Sequence, residues 1–244
     1  MGSLVLREVT MKLRTLIVIA AAGLLTAAAS AIDNIPLVQA KVMRDLKKAE
    51  VMIDQGDYEK AAVYASLFSG DELTVRVDKS SIPTGEESAA LNALEGAMQL
   101  WEKESDGQIR FRMVESGPAV VNLRFTNSLY VGGCQAAGRA TWSRQVIDWG
   151  FGQATREMKA RIDIRWLGTD GRAHSENALR HTIAHELGHV IGLDDNPSGG
   201  IMGRLDPARP ADALSEKEES ALDTLLAASS GLSARALSFV QSRR

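Results

Sequence analysis

One stretch of sequence, residues 181–202, constrains this chain more than any other. It contains the pattern His-Glu-x-x-His at His185, Glu186 and His189. On a helix the two histidines lie about 40° apart around the axis and roughly 6 Å apart along it. Both imidazoles would therefore reach one Zn²⁺ ion, with Glu186 beside it as a general base. Three fixed positions are a weak signal alone, so the residues that follow decide what the pattern means.

Gly192 lies three residues after His189, and Asp195 three residues after Gly192. If the helix continued, Asp195 would lie about 240° around the axis from His189 and roughly 9 Å further along, out of reach of the metal. A glycine admits positive φ and lets the chain turn back under the site. We therefore predict His185, His189 and Asp195 as zinc ligands, with a fourth position left for water, as in catalytic zinc sites. Asp194 is the alternative third ligand.

The N-terminal residues are typical of a cleavable signal peptide. Lys12 and Arg14 precede an apolar run over residues 16–29, which ends in the small-x-small sequence Ala29-Ser30-Ala31. The run is short and alanine-rich for a membrane span. We predict a signal peptide over residues 1–31, export to a periplasm or to the cell exterior, and no stable membrane anchor after cleavage.

Composition limits the remaining partners. The chain carries a net charge of −3 without a basic cluster, so nucleic acid is not an expected partner. Cys134 is the one cysteine of the sequence, which excludes an intramolecular disulfide bond. No pattern indicates an oligomeric state.

Apolar periodicity predicts an α+β domain that follows a helical hairpin. Helical spacing over residues 36–68, broken at Gln55-Gly56-Asp57, indicates two helices, so residues 32–70 form a helical hairpin or a prosegment. Alternating apolar residues then predict a set of strands joined by both helices and short loops, which implies a mixed sheet. The strands are expected near residues 73–77, 109–113, 121–125 and 158–166.

The remaining helices are predicted from their caps. Thr84 and Glu87 have the spacing of a capping box, which would open a long helix ending near Trp101. Ser175 is the expected N-cap of the motif helix, and Ser215 that of a final helix. Residues 231–244 are read as a C-terminal tail.

Taken together, these residues resemble the matrixin branch of the metzincin zinc endopeptidases. The most specific are His-Glu-x-x-His-x-x-Gly-x-x-Asp, ending at Asp195, and Ile201-Met202 soon after it. The resemblance implies that residues 71–230 form a catalytic domain. Its fold would be a mixed twisted β-sheet with a long helix, the HExxH active-site helix, a Met-turn and a C-terminal helix. Met202 would then lie beneath the metal without ligating it.

The resemblance also implies a function. The chain would be a secreted zinc endopeptidase in which Glu186 assists the attack of a zinc-bound water on the peptide bond. Its partner would be a protein or peptide substrate, laid along an edge strand between Gly138 and Trp142. Two alternatives remain open: a zinc-binding protein of this fold without proteolytic activity, and an export-pathway interaction protein that uses the helical hairpin.

Two features depart from the family. The third ligand is usually histidine. Aspartate lowers the formal charge of the site from +2 to +1, which makes zinc a weaker Lewis acid. The latency sequence Pro-Arg-Cys-Gly is missing, and Cys134 is either a cap on the zinc or, more simply, a packing residue. His181 either faces the cleft or is an ordinary helix residue, and His174 is expected in solvent. Loop carbonyls and Asp170 leave room for a Ca²⁺ ion that no motif supports.

Overall fold

The computed structural model describes residues 35–150 and 153–242, and the predicted signal peptide lies outside them. The helices in these ranges are Ala40–Asp54 (α1), Tyr58–Ala65 (α2), Glu87–Glu104 (α3), Glu176–Ile191 (α4) and Glu216–Ser242 (α5). The strands are Leu73–Val77 (β1), Phe111–Met113 (β2), Val121–Thr126 (β3), Tyr130–Val131 (β4), Cys134–Gln135 (β5), Gly138–Gly150 (β6) and Gln153–Arg165 (β7).

Five of the strands form one mixed sheet, which confirms the predicted fold class. Their order is β2-β1-β3-β7-β6, with β4 and β5 forming a separate hairpin. The pairs among β2, β1, β3 and β7 are parallel, whereas β6 runs antiparallel to β7. The segment from Gly138 to Trp142 therefore belongs to an edge strand, as predicted.

Alternation along the strands explains which sheet face is covered. Val121, Leu123 and Phe125 of β3 are buried, and so are the even-numbered residues of β7 from Met158 to Ile164. This face packs against α3 and α4 and forms the core. Trp101, fully buried at the end of α3, donates its indole N–H to the Ala184 carbonyl of α4 at 2.9 Å. The sheet and α3 thus fix the position of the motif helix.

The predicted capping box at Thr84 is wrong. Helix α3 begins at Glu87, its N-cap is Glu86, and no side chain caps it. Gly85 has a φ of +87°, and the Glu86 amide bonds to the Pro83 carbonyl in a tight turn. This turn separates Thr84 from the helix, so its hydroxyl does not reach the first free amides.

The predicted helical hairpin is present as α1 and α2, and it packs on the rest of the fold. Arg156 of β7 pairs with Asp45 of α1 at 3.1 Å and donates to the carbonyls of Val63 and Tyr64 at the end of α2. The Ser229 hydroxyl of α5 donates to the Ala65 carbonyl at 2.8 Å. These contacts join the hairpin to both the sheet and the last helix.

The last helix is longer than predicted, because it continues through residues 231–242 where a tail was expected. Leu232 and Ala236 are buried, and Phe239 stacks on Tyr58 of the hairpin with ring centroids 4.6 Å apart. Packing against the hairpin therefore extends the helix. Across residues 35–150 and 153–242, no helix has both the length and the apolar character that a membrane span requires.

Candidate metal centre

The motif helix begins and ends at the residues that the sequence indicates. The Ser175 hydroxyl accepts a hydrogen bond from the Ala178 amide and caps the N-terminus of α4. At the other end Gly192 has a φ of +123°, and a Cβ there would lie 2.8 Å from Val42. Only glycine satisfies both the backbone conformation and the close approach. The chain therefore turns at Gly192 and returns towards the histidines.

This turn brings three potential ligand atoms together. Asp195 Oδ1 lies 3.2 Å from His185 Nε2 and 3.4 Å from His189 Nε2. The three ligand atoms all lie within 4.8 Å of one another. In a tetrahedral shell with ligands at about 2.0–2.1 Å, neighbouring ligand atoms are about 3.3 Å apart. The two measured separations fit a zinc ion, which His185, His189 and Asp195 would hold.

A hydrogen bond at Nδ1 fixes the orientation of each imidazole ring. His185 Nδ1 lies 3.0 Å from the Ile201 carbonyl oxygen, and His189 Nδ1 lies 2.9 Å from that of Leu193. A carbonyl oxygen can only accept a hydrogen bond, so each Nδ1 carries the hydrogen and each Nε2 offers its lone pair to a metal. Burial, followed by the charge of His189, lowers the pKa of His185 and favours the neutral ring that ligation needs.

Asp194, the alternative third ligand, lies outside the cluster of ligand atoms. Its backbone amide donates to the Leu37 carbonyl at 2.8 Å, and its carboxylate is not part of the ligand cluster. Burial raises its pKa, although the nearby His189 lowers it. Asp195, in contrast, has a side chain that is 78% exposed towards the cleft. The geometry thus favours Asp195 over Asp194 as a third ligand.

Glu186 lies beside the ligands under the edge strand. It is 5% exposed, and a Cβ on Gly138 would lie 2.5 Å from its Oε1 atom. Burial raises the pKa of Glu186 to about 8, while a hydrogen bond from the Ala140 amide opposes the shift and Asp195 adds to it. The missing side chain at Gly138 is therefore what makes room for this carboxylate at the cleft.

Met202 lies beneath the ligand helix, as the resemblance implied. It is 1% exposed, and its sulfur occupies the space that a Cβ on Gly188 would fill.

Glu218, the third residue of α5, accepts from the amides of Ile201, Met202 and Ser215. Sequence reasoning missed this fully buried carboxylate. Its signal was the spacing Ser215-x-x-Glu218, which has the form of a capping box.

Gln39 is a second residue that sequence reasoning missed. Its side-chain amide donates to the carbonyls of His189 at 3.1 Å and of Leu193 at 3.0 Å. Its backbone amide donates to the Gly192 carbonyl at 2.9 Å, and Val38 forms a β-bridge with Leu193. The segment before α1 therefore holds the turn that carries Asp195. No local pattern signals a contact between residues about 150 positions apart in the chain.

The structure also locates the other candidate residues. His181 is buried beside the cleft, where its Nδ1 accepts from the Ala211 amide at 2.9 Å and its Nε2 faces the Gly203 carbonyl. The expectation that His174 lies in solvent is wrong, because its Nε2 is buried. Cys134 is exposed rather than packed, and it does not line the cleft.

This fold and site are of the metzincin type. They combine a mixed sheet, a motif helix that ends at a glycine, converging ligand atoms and a methionine turn. The matrixin family, peptidase M10, matches residues 67–205. That match covers more than half of the sequence, and this chain belongs to the matrixin family. The family is one of zinc metallopeptidases that act on protein substrates. No curated protein matches the chain.

Proposed function

We propose that this chain is an exported zinc-dependent endopeptidase. The observation that carries the proposal is the convergence of His185, His189 and Asp195 beside the buried carboxylate of Glu186. Bound zinc would supply a Lewis acid that polarises a peptide carbonyl and lowers the pKa of water. Aspartate as the third ligand distinguishes this chain from the usual histidine of the family.

Glu186 is the proposed proton carrier. It accepts a proton from the attacking water and passes it to the nitrogen of the departing amine. It lies against Gly138 and lines the cleft, where it can reach a water molecule beside the metal ligands. Burial raises the pKa of Glu186 to about 8 in the metal-free protein. The positive charge of a bound zinc ion would favour the carboxylate form and lower this pKa towards the working pH, where a base works best.

The proposed substrate is an extended peptide that lies along β6. This strand is at the edge of the sheet, and Gly138 lines the same cleft as Glu186 and His185. The outer backbone groups of an edge strand are available to pair with an added strand. A peptide paired there would pass over the metal ligands.

Export is supported by two observations. The signal-peptide pattern over residues 1–31 has the basic head, apolar run and small-residue ending of a secretory signal, and matrixins are typically secreted. We also propose that residues 35–70 stay with the catalytic domain, because Gln39 holds the metal loop and Arg156 anchors the hairpin. A removable prosegment would leave both sites without partners.

The test compares three variants by zinc content and by hydrolysis of casein. Glu186→Ala should retain zinc and lose activity, whereas Asp195→Ala should lose zinc. Asp194→Ala is the matched control and should keep most of its zinc. A fully active Glu186→Ala protein would refute the role of that carboxylate. If Asp194→Ala loses zinc and Asp195→Ala does not, the third ligand is Asp194. A zinc-loaded wild-type protein without activity would favour the non-proteolytic alternative.

A further inference from the structure

The cleft beyond the metal ligands has a basic lining. It is a cavity of about 600 Å³ that runs from the ligand histidines to the loop after Met202. Arg165, His174 and Arg204 are among the residues that line it. This charge is local, because the chain as a whole has a net charge of −3.

Arg165 lies at the end of β7 and is 6% exposed. Its Nη1 donates to the Gln135 side-chain oxygen at 3.0 Å, and its Nε is buried without a hydrogen-bond partner. Among the residues described by the structure, no carboxylate forms an ion pair with it. A buried guanidinium without a counter-ion is costly, so an anion delivered from the cleft would be favoured there.

The neighbouring groups do not neutralise this charge. Burial and then the charge of Arg165 lower the pKa of His174, which favours the neutral form of its ring. Asp170 is turned into its own loop, where its Oδ1 accepts from the Arg172 amide. Arg204, which also lines the cavity, is exposed, and within the described residues it too has no ion pair. Glu186 and Asp195 also line the cavity, but within the described residues neither forms an ion pair with Arg165 or Arg204.

We propose that this cavity binds a carboxylate of the peptide substrate, with Arg165 as the primary contact and Arg204 as a second one. The proposal rests on the proposed peptidase function and adds a substrate class to it. The carboxylate is either a glutamate or aspartate side chain near the cleaved bond or the C-terminus of a short peptide. Both have the planar geometry that a guanidinium binds with two parallel hydrogen bonds.

The experiment uses pairs of peptides that differ only by glutamate or glutamine at one position within three residues of the cleaved bond. Each pair is made with a free and an amidated C-terminus. The wild-type ratio of kcat/KM should favour the acidic peptide by about 10- to 100-fold, the range of a charge-assisted hydrogen bond. Arg165→Gln should bring that ratio close to one, and Arg204→Gln should lower it in part. Arg172→Gln, an exposed arginine outside the cavity, should keep the wild-type ratio.

Equal rates on both members of every pair would overturn the proposal, and so would a ratio that survives in Arg165→Gln. A preference that follows only the free C-terminus supports the proposal and identifies the terminal carboxylate as the ligand. If the wild-type protein cleaves no peptide, the proposed function fails, but the cavity is still tested. Calorimetry would then measure the binding of the same peptides to the zinc-loaded Glu186→Ala protein. Tighter binding of the acidic peptides is expected, and equal binding of both members of each pair would overturn the proposal.

Discussion

Replacing Gln39 by alanine should lower the zinc affinity of the metal centre, although Gln39 is not one of the proposed ligands. The change removes two hydrogen bonds, to the carbonyls of His189 and Leu193. Leu193 also accepts from His189 Nδ1, so its carbonyl is the link between Gln39 and the orientation of a ligand ring. The His189 carbonyl, at the end of α4, loses a side-chain donor that nothing else in the described chain replaces.

The magnitude follows from these contacts. Each lost hydrogen bond costs about 0.5–1.5 kcal/mol net, so Gln39→Ala should destabilise the metal-free protein by about 1–3 kcal/mol. Loss of a direct outer partner of a metal-bound histidine lowers metal affinity by about 10- to 100-fold. Gln39 acts one step further out, through the Leu193 carbonyl, so Gln39→Ala should lower zinc affinity by about tenfold, the lower end of that range. The affinity loss should therefore be much larger than a general loosening of the hairpin produces.

The assay measures zinc affinity by competition with a chelator, together with the visible spectrum of the Co²⁺-substituted protein. Ser229→Ala is the matched control, because it removes one buried hydrogen bond of the hairpin, to Ala65, far from the metal loop. It should cost about 1 kcal/mol of stability and leave affinity and spectrum unchanged. Unchanged zinc affinity in Gln39→Ala, or an equal loss in Ser229→Ala, would refute the reasoning.

Three further predictions concern the carboxylates and the glycine around the site. Glu218→Gln replaces one of two acceptor oxygens, both of which accept from backbone amides, by a donor, and it should lower the free energy of unfolding by about 2–3 kcal/mol in urea denaturation, whereas exposed Glu219→Gln should not. Gly138→Ala should keep zinc, as measured by metal analysis, and lose peptidase activity, because the new methyl group displaces Glu186. The third concerns pH. In the metal-free protein the folded state keeps the Glu186 proton to a pKa of about 8, while the unfolded state releases it near 4.5. Stability should therefore fall as pH rises between these values and level off above 8, and Glu186→Gln should remove that slope. Stability that rises over this interval would contradict the assigned burial.

The parts of the site that were predictable are those set by local geometry. Helical periodicity places His185 and His189 on one face, and the positive φ of Gly192 follows from the need to return the chain. Asp195 then comes within ligand distance of both histidines. Each inference concerns residues only a few positions apart, and over such distances backbone geometry determines where the side chains lie.

The parts that were missed depend on contacts between distant segments. Nothing around Gln39 indicates that its amide reaches the end of α4, since the contact exists only after the hairpin has packed. Glu218 occupies a position typical of a capping residue, yet its carboxylate also binds the Met202 turn. The failure at Thr84 has a local cause, because Gly85 turns the chain before the helix begins. Spacing alone does not reveal such a turn.

The contacts of Gln39 and Glu218 also bear on when the metal centre becomes complete. Gln39 precedes α1 and Glu218 lies in the first turn of α5, so segments near both ends of the described chain must be in place to hold the ligand turn and the Met202 turn. During synthesis the ligands emerge before α5 does, and contacts between distant segments form late because loop closure costs entropy. A chain still on the ribosome therefore carries the full ligand set without the support that orients it. We expect tight metal binding, and any activity that depends on it, to arise only as the last helix docks.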